Sequence, residues 1–145
     1  MTQSYYYGST VDNKSVLESM DDAAAVALGG EWRMPTDEEW TELRNTDNCS
    51  WTWTTIDGVN GYKVQSKKSG YTDNWIFLPA AGSRYYDCSY CVGSLAYYWS
   101  SSLDTGFLLY QDTPYNAYNI DFTFGSYVKR GHGRYVGYSV RPVSE

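Results

Sequence analysis

At Asn45 the spacing of apolar residues changes, and the change divides the chain into two kinds of structure. Before it the pattern is helical. Ser19 can cap a first helix, with Asp21 and Asp22 in the first turn, where the helix dipole favours negative charge. The run Ala23-Ala24-Ala25-Val26-Ala27-Leu28 has high helix propensity, and Gly29-Gly30 stops it. A second helix opens at Thr36, three residues before Glu39 in capping-box spacing, with Pro35 just ahead. Trp40 and Leu43 fall on one face of it, and Glu38, Glu39 and Glu42 form a solvated face. After Asn45 the period is two. Trp51, Trp53 and Thr55 alternate with Thr52, Thr54 and Ile56. Asp57-Gly58 and Asn60-Gly61 signal turns, and residues 62–65 read as a return strand. A polar loop over residues 67–73 leads to a short apolar strand, Trp75-Ile76-Phe77-Leu78, ended by Pro79. From Gly82 onward short strand-like pieces at 97–100, 117–122 and 138–143 are set in Tyr, Ser, Gly and Asn. Helices followed by short strands and long loops predict an α+β domain, and long loops in a compact domain are usually functional.

The length, 145 residues, is that of one domain able to bury a core without disulfides or metals. A net charge of -6 argues against a nucleic-acid partner. No apolar run approaches about 18 residues, so this domain is not expected to insert into a membrane. The opening Met1-Thr2-Gln3-Ser4 lacks the basic-then-apolar pattern of a signal peptide. That leaves a cytoplasmic protein or a domain cut from a longer exported chain, and the immediate start at Tyr5-Tyr6-Tyr7 favours the second.

Motifs for catalysis are weak. Cys88-Ser89-Tyr90-Cys91 has C-x-x-C spacing but no helix to lower a thiol pKa, so a surface disulfide or two free thiols is the better reading. Zinc would need all three Cys and His132 at irregular spacing, and no metal site is expected. His132 is the only His, in the turn-like stretch Arg130-Gly131-His132-Gly133-Arg134, with no carboxylate nearby to fix it as a triad base. Asp104-Thr105-Gly106 is half of a carboxylate pair with no second half. No catalytic residue and no cofactor is assigned.

The informative excess is aromatic, with 16 Tyr and 6 Trp. Trp32, Trp40, Trp51, Trp53, Trp75, Trp99, Phe77 and Phe122 lie in patterned segments, where core packing accounts for them. Tyr85, Tyr86, Tyr90, Tyr110, Tyr115 and Tyr127 lie among Gly, Ser, Asp and Asn. That company suits a binding surface: Tyr offers large contact area at low entropic cost, and small polar residues offer adaptable hydrogen bonds.

Several stretches together resemble a known family. They are Asp21-Asp22-Ala23-Ala24, the run Gly29-Gly30-Glu31-Trp32-Arg33-Met34-Pro35-Thr36-Asp37-Glu38-Glu39-Trp40, and Asn48-Cys49-Ser50-Trp51-Thr52-Trp53-Thr54. Others are Ile76-Phe77-Leu78-Pro79-Ala80-Ala81-Gly82, Tyr97-Tyr98-Trp99-Ser100-Ser101-Ser102 and Gly137-Tyr138-Ser139-Val140-Arg141-Pro142-Val143. The chain resembles the Fibrobacter succinogenes major paralogous domain of Bacteroidetes surface proteins. That family is similar to the C-type lectin fold and to the variable proteins of diversity-generating retroelements, such as phage tropism determinants. The resemblance runs over nearly the whole chain.

What it implies is one C-type lectin-like domain over residues 1–145. Two helices would pack on short twisted antiparallel sheets with long C-terminal loops. The scaffold would span about 1–82, a variable ligand-binding region about 83–138, and a closing strand 138–143 paired with the N-terminal Tyr5-Tyr6-Tyr7 strand. In retroelement systems template adenines are randomised, so Asn codons become codons ending in a pyrimidine. Tyr85, Tyr86, Tyr90, Leu95, Asp104, Phe107, Leu108, Tyr110, Asp121, Thr123, Tyr127, Val128, Arg130, His132 and Val136 are all reachable that way, as are Cys88, Cys91 and Gly131. These positions, Cys and Gly apart, make up the expected variable face together with Tyr115. Gln111 and Lys129 are not reachable, so either they are fixed or the codon reading fails at those two positions. The calcium-binding loop of sugar-binding C-type lectins is absent. Expected, then, is a non-enzymatic adhesin or receptor-binding domain, monomeric in isolation, at a cell surface, outside the cell or on a phage particle. Its partner would be a protein or glycan receptor on another cell or a phage host. The alternative is an undiversified bacterial surface domain that binds glycan or serves as a structural module. Either Arg33 or Arg141 is expected to form an internal ion pair.

Overall fold

The computed structural model describes residues 6–7, 10–11, 14–104 and 116–144. Among these the elements run β1 (Tyr6–Tyr7), β2 (Thr10–Val11), α1 (Ala23–Leu28), α2 (Asp37–Arg44), β3 (Cys49–Ile56), β4 (Val59–Ser66), β5 (Trp75–Pro79), β6 (Ser83–Tyr85), β7 (Cys88–Tyr90), β8 (Leu95–Leu103), β9 (Asn116–Thr123) and β10 (Ser126–Gly133). Small helices and antiparallel sheets make this an α+β domain. One three-stranded sheet has the order β3-β4-β5 and another β10-β9-β8, while β6 and β7 form a separate hairpin.

Both helices are fixed at their starts by side chains. The cap of α1 is Asp22, not Ser19. Asp22 accepts hydrogen bonds from the backbone of Ala24 at 2.8 Å and Ala25 at 3.1 Å, and its other oxygen accepts from Met34 N at 2.8 Å. Ser19 has no such tertiary donor to hold, and the turn before α1 is closed by backbone bonds to Glu18 O instead. Gly29, at φ 68, ends α1 as expected. In α2 the Thr36–Glu39 capping box is complete. The Glu39 carboxylate also takes both guanidinium nitrogens of Arg33 at 2.8 Å, so the ion pair belongs to Arg33 and sits at a half-buried site. Arg141 is exposed. The guanidinium holds the Glu39 carboxyl below its usual range.

Asp57-Gly58, at φ 49 and 80, forms the tight turn between β3 and β4. Asn60-Gly61 is no turn but part of β4. Gly61 is required there because the Leu78 backbone and the Phe77 ring fill the space a Cβ would need. Asn60 accepts from Thr55 Oγ1 and donates to Gly93 O at 3.0 Å.

The N- and C-terminal strands do not pair as expected. β1 pairs with β2 through Tyr6↔Val11, while Ser139 bridges Tyr98 in parallel and Val143 bridges Arg33. A hairpin closes a short loop at small entropic cost, and the free edge of β8 is the nearer partner for residue 139. The stretch 130–134, expected as a turn, contains the end of β10, paired with β9 through His132↔Ala117.

The core lies between the two three-stranded sheets and α2. It contains Trp40, Tyr62, Val64, Leu78, Ala96, Tyr98, Ile120 and Phe122, with Trp51, Trp53 and Tyr127 packed against it. Trp32 and Trp75, expected inside, are 43% and 49% exposed. β8 breaks register between Trp99 and Leu103. There the buried Ser100, Ser101 and Ser102 tie the strand to the helical half through Ser101 N to Pro35 O and Asp37 N to Ser102 Oγ.

Because buried Asp22 satisfies three backbone donors, Asp22→Ala should lower stability by about 2 kcal/mol, combining a lost cap with an orphaned amide. Urea unfolding of the two proteins checks this, and an unchanged midpoint would overturn it.

Candidate functional site

Pairing fixes which side chains of β8, β9 and β10 share a face. Ala96, Phe122 and Tyr127 point to the core, as do Tyr98 and Ile120, and Lys129 shares their side of the sheet but reaches out to Asp37. Their neighbours must point out. The outer face therefore carries Leu95, Tyr97 and Trp99 from β8, Asp121 and Thr123 from β9, and Val128, Arg130 and His132 from β10, while Asn119 on the same side is covered and only 2% exposed.

Tyr138, from the closing segment, lies over this face. Its ring stacks on Tyr97 at 4.6 Å between centroids, meets Trp99 at 4.5 Å and reaches His132 at 5.5 Å. The backbone explains the placement: Trp99 N donates to Ser139 O and Ser139 N to Tyr97 O, so residue 138 is held beside the outer edge of β8. Beside the aromatic group Arg130 Nε donates to Asp121 Oδ2 at 2.7 Å. Burial, then the nearby Tyr97 and Asp121, push the Tyr138 hydroxyl up to about 12. Burial also raises Tyr97, with Cys91 and Asp121 adding to it. Both phenols stay neutral at ordinary pH, where they donate and accept hydrogen bonds but supply no base.

The β6–β7 hairpin adjoins this face. Tyr85 packs against Tyr86 at 4.6 Å and against Tyr135 at 6.0 Å. With Arg84 and Gly137 these three rings line an open cleft of about 520 Å³. Arg84 bridges Gly137, which fixes the hairpin to the closing segment. Tyr86 is 83% exposed and Tyr90 48%.

The structure thus brings together Leu95, Asp121, Thr123, Val128, Arg130 and His132 on one surface, with Tyr85, Tyr86 and Tyr90 beside it. Other nominated residues are elsewhere. Tyr127 turns inward and stacks on Trp51 at 4.6 Å, because its register partner is the core residue Phe122. Asp104 and Val136 are 7% and 9% exposed, so neither offers a side chain to the surface. Phe107, Leu108, Tyr110 and Tyr115 lie outside the described residues. Sequence reasoning missed Tyr97, Tyr135 and Tyr138 and assigned Trp99 to the core. The alternation of Tyr97 and Trp99 about Tyr98 was the available signal.

Cys88 and Cys91 are free, exposed thiols, with no helix behind them. Among the described residues no group of three or more His, Cys, Asp and Glu is placed to hold a metal ion. Among the described residues no helix is long and apolar enough to cross a membrane. No protein-family model, curated protein or solved structure matches the chain.

Tyr98 hydroxyl donates to Pro79 O at 3.0 Å, and burial pushes it, like Tyr138, to about 12. A raised folded value means the neutral phenol is favoured by folding. Its stabilisation is complete below the ordinary phenol value near 10 and is lost as pH climbs from there through about 12. Ultraviolet titration of tyrosinate should therefore show a late step that shrinks in Tyr98→Phe and in Tyr138→Phe. A titration unchanged by both substitutions would refute the assignment.

Proposed function

We propose that this chain is a non-enzymatic ligand-binding domain, a retroelement-diversified variable protein built on a C-type lectin-like scaffold. The outer face of β8–β10 and the β6–β7 hairpin form its binding surface. The partner is a macromolecular receptor, protein or glycan, met at a cell surface or from a phage particle. The observation that carries this reading is convergence. Residues scattered from 85 to 138 meet on one surface around Tyr138, backed by a packed core. A stiff aromatic surface loses little entropy on binding, and Tyr, Trp and Arg dominate binding energy at interfaces.

A second observation supports the diversified form. Tyr86 and Cys91 adopt left-handed backbone at φ 50 and 58. Bulky residues avoid that region, whereas Asn enters it readily. Both are positions where an Asn codon is the proposed ancestor, so the backbone keeps the preference of the residue that diversification replaced. Lys129, which no Asn codon yields, points away from the face. It pairs with Asp37 at 2.7 Å and lies 4.2 Å over the Tyr118 ring.

Two outcomes are expected. Tyr86→Asn and Cys91→Asn should each raise stability by about 1 kcal/mol, read as a higher melting temperature; no gain at either position removes this support. Gene sequences from many isolates should vary at the codons for Tyr85, Tyr86, Tyr90, Leu95, Asp121, Thr123, Val128, Arg130 and His132, while those for β3 to β5 stay constant. Variation spread evenly, or absent, would overturn diversification and leave an undiversified surface domain.

A further inference from the structure

The sheet β3-β4-β5 has an outer face of its own, remote in sequence from the surface described above. Direct pairing aligns Ser50, Gln65 and Trp75, and next to them Thr52, Lys63 and Phe77. The intervening rows, Trp51, Val64, Ile76 and Trp53, Tyr62, Leu78, face the core. An antiparallel sheet with one face in the core ordinarily turns polar residues to the other. Here β5 turns out two aromatic rings.

Neither ring lies loose. The Lys63 ammonium stands 5.0 Å from the centre of the Trp75 ring. The Phe77 ring lies across Gly61, where the absence of a side chain leaves it room against the sheet. Trp75 nevertheless remains 49% exposed. The result is a shallow aromatic platform bordered by the hydroxyls of Ser50 and Thr52 and the Gln65 amide. Neither Asp nor Glu occurs in β3, β4 or β5, and Lys63 is the sole charge in the three strands.

That chemistry selects its occupant. A cationic ligand would meet the Lys63 ammonium and no carboxylate on the three strands. An anionic polymer would find one cation where electrostatic binding needs several. A protein partner would want a larger apolar patch with deeper anchors. A neutral sugar fits: its C–H face covers an indole, and its hydroxyls exchange hydrogen bonds with Thr52, Gln65 and the Lys63 ammonium. We infer that the Trp75–Phe77 platform is a second binding site, for a neutral polysaccharide. It is independent of the face on β8–β10 and does not rest on that face being diversified.

Affinity electrophoresis of the whole chain in gels containing hydroxyethyl cellulose, laminarin, mannan or galactan tests this. At least one neutral polymer should retard the native protein. Trp75→Ala should weaken the retardation about tenfold or more, and Trp75→Tyr, which keeps a ring, should restore much of it. Melting curves of both variants establish that they fold. Tyr86→Ala, on the other face, identifies which surface is responsible: retardation kept supports the platform, and retardation lost moves the site to β6–β7 and overturns it. Failure of every neutral polymer, or retardation only by heparin and only at low salt, also overturns it. So does equilibrium sedimentation showing a dimer that Trp75→Ala dissolves, since the ring would then meet a second copy.

Discussion

The contact on which the rest depends is that of Tyr62 with the turn between β9 and β10. Tyr62 is 3% exposed and belongs to β4, in the first three-stranded sheet. Its hydroxyl donates to Thr123 O at 3.0 Å and accepts from Gly125 N at 3.1 Å, both in the second sheet's hairpin. Its ring meets Trp51, Trp53, Phe122 and Tyr127 edge to face. Such pairs are worth about 0.5–1.5 kcal/mol each beyond their buried area, and they are directional. A purely aliphatic core would let the two sheets slide. This one fixes where the β9–β10 hairpin stands relative to β4. Losing the hydroxyl alone would remove both bonds that tie β4 to the exposed β9–β10 turn, at about 0.5–1.5 kcal/mol each.

Fixing one face of the β8–β10 sheet fixes the other, because side chains alternate. Phe122 and Tyr127 are held by Tyr62 and Trp51, so Asp121 and Val128 must face out. Ile120 is fully buried, so Asn119 takes the outward row. The helical half closes the far end: Arg33 trades backbone bonds with Val143, and its guanidinium is held by the Glu39 carboxylate that also caps α2. The closing segment then has one path past β8, and Tyr138 arrives over Tyr97 and Trp99. The position of that ring is thus set by contacts on the opposite side of the sheet and at the start of α2.

Local chemistry was legible in the sequence and register was not. The capping box of α2, the Gly29 stop and the Asp57-Gly58 turn are decided by residues within four positions of each other, and each reads directly. Asp22 displaced Ser19 as the cap because it also receives Met34 N, a donor twelve residues away that no local pattern reveals. Asn60-Gly61 has turn composition, yet Gly61 answers to the backbone of Leu78 across the sheet. The stretch 130–134 looks like a turn because its residues are Gly, Arg and His, but a polar strand on an exposed edge needs no apolar alternation. The same limit governs the site. Tyr residues among Gly and Ser pointed to the half of the chain that carries the proposed surface. The sorting of Tyr127 inward and Tyr97 outward depends on pairing with β9, which composition does not encode.

The proposed binding surface does not tolerate change evenly, and the backbone says where. Arg130 and Val128 stand on open rows of β10, and a new side chain there alters the surface alone. Gly131, between Arg130 and His132, is different: a Cβ would run into the Asp104 carboxylate, which is itself buried. Asp104 and Gly131 are therefore one choice. A larger residue at 131 demands a smaller one at 104, and either change alone disturbs the edge of β10 that presents Arg130 and His132. Gly133 meets only the Tyr135 ring, a side chain 74% exposed and free to swing aside. A mechanism that altered codons blindly would meet these constraints as folding failures at 131 and as new surfaces at 128 and 130. Under the proposed diversification, the surface open to selection would thus be narrower than the set of codons that change, with its boundary drawn by Cβ room and by the inward row of β10.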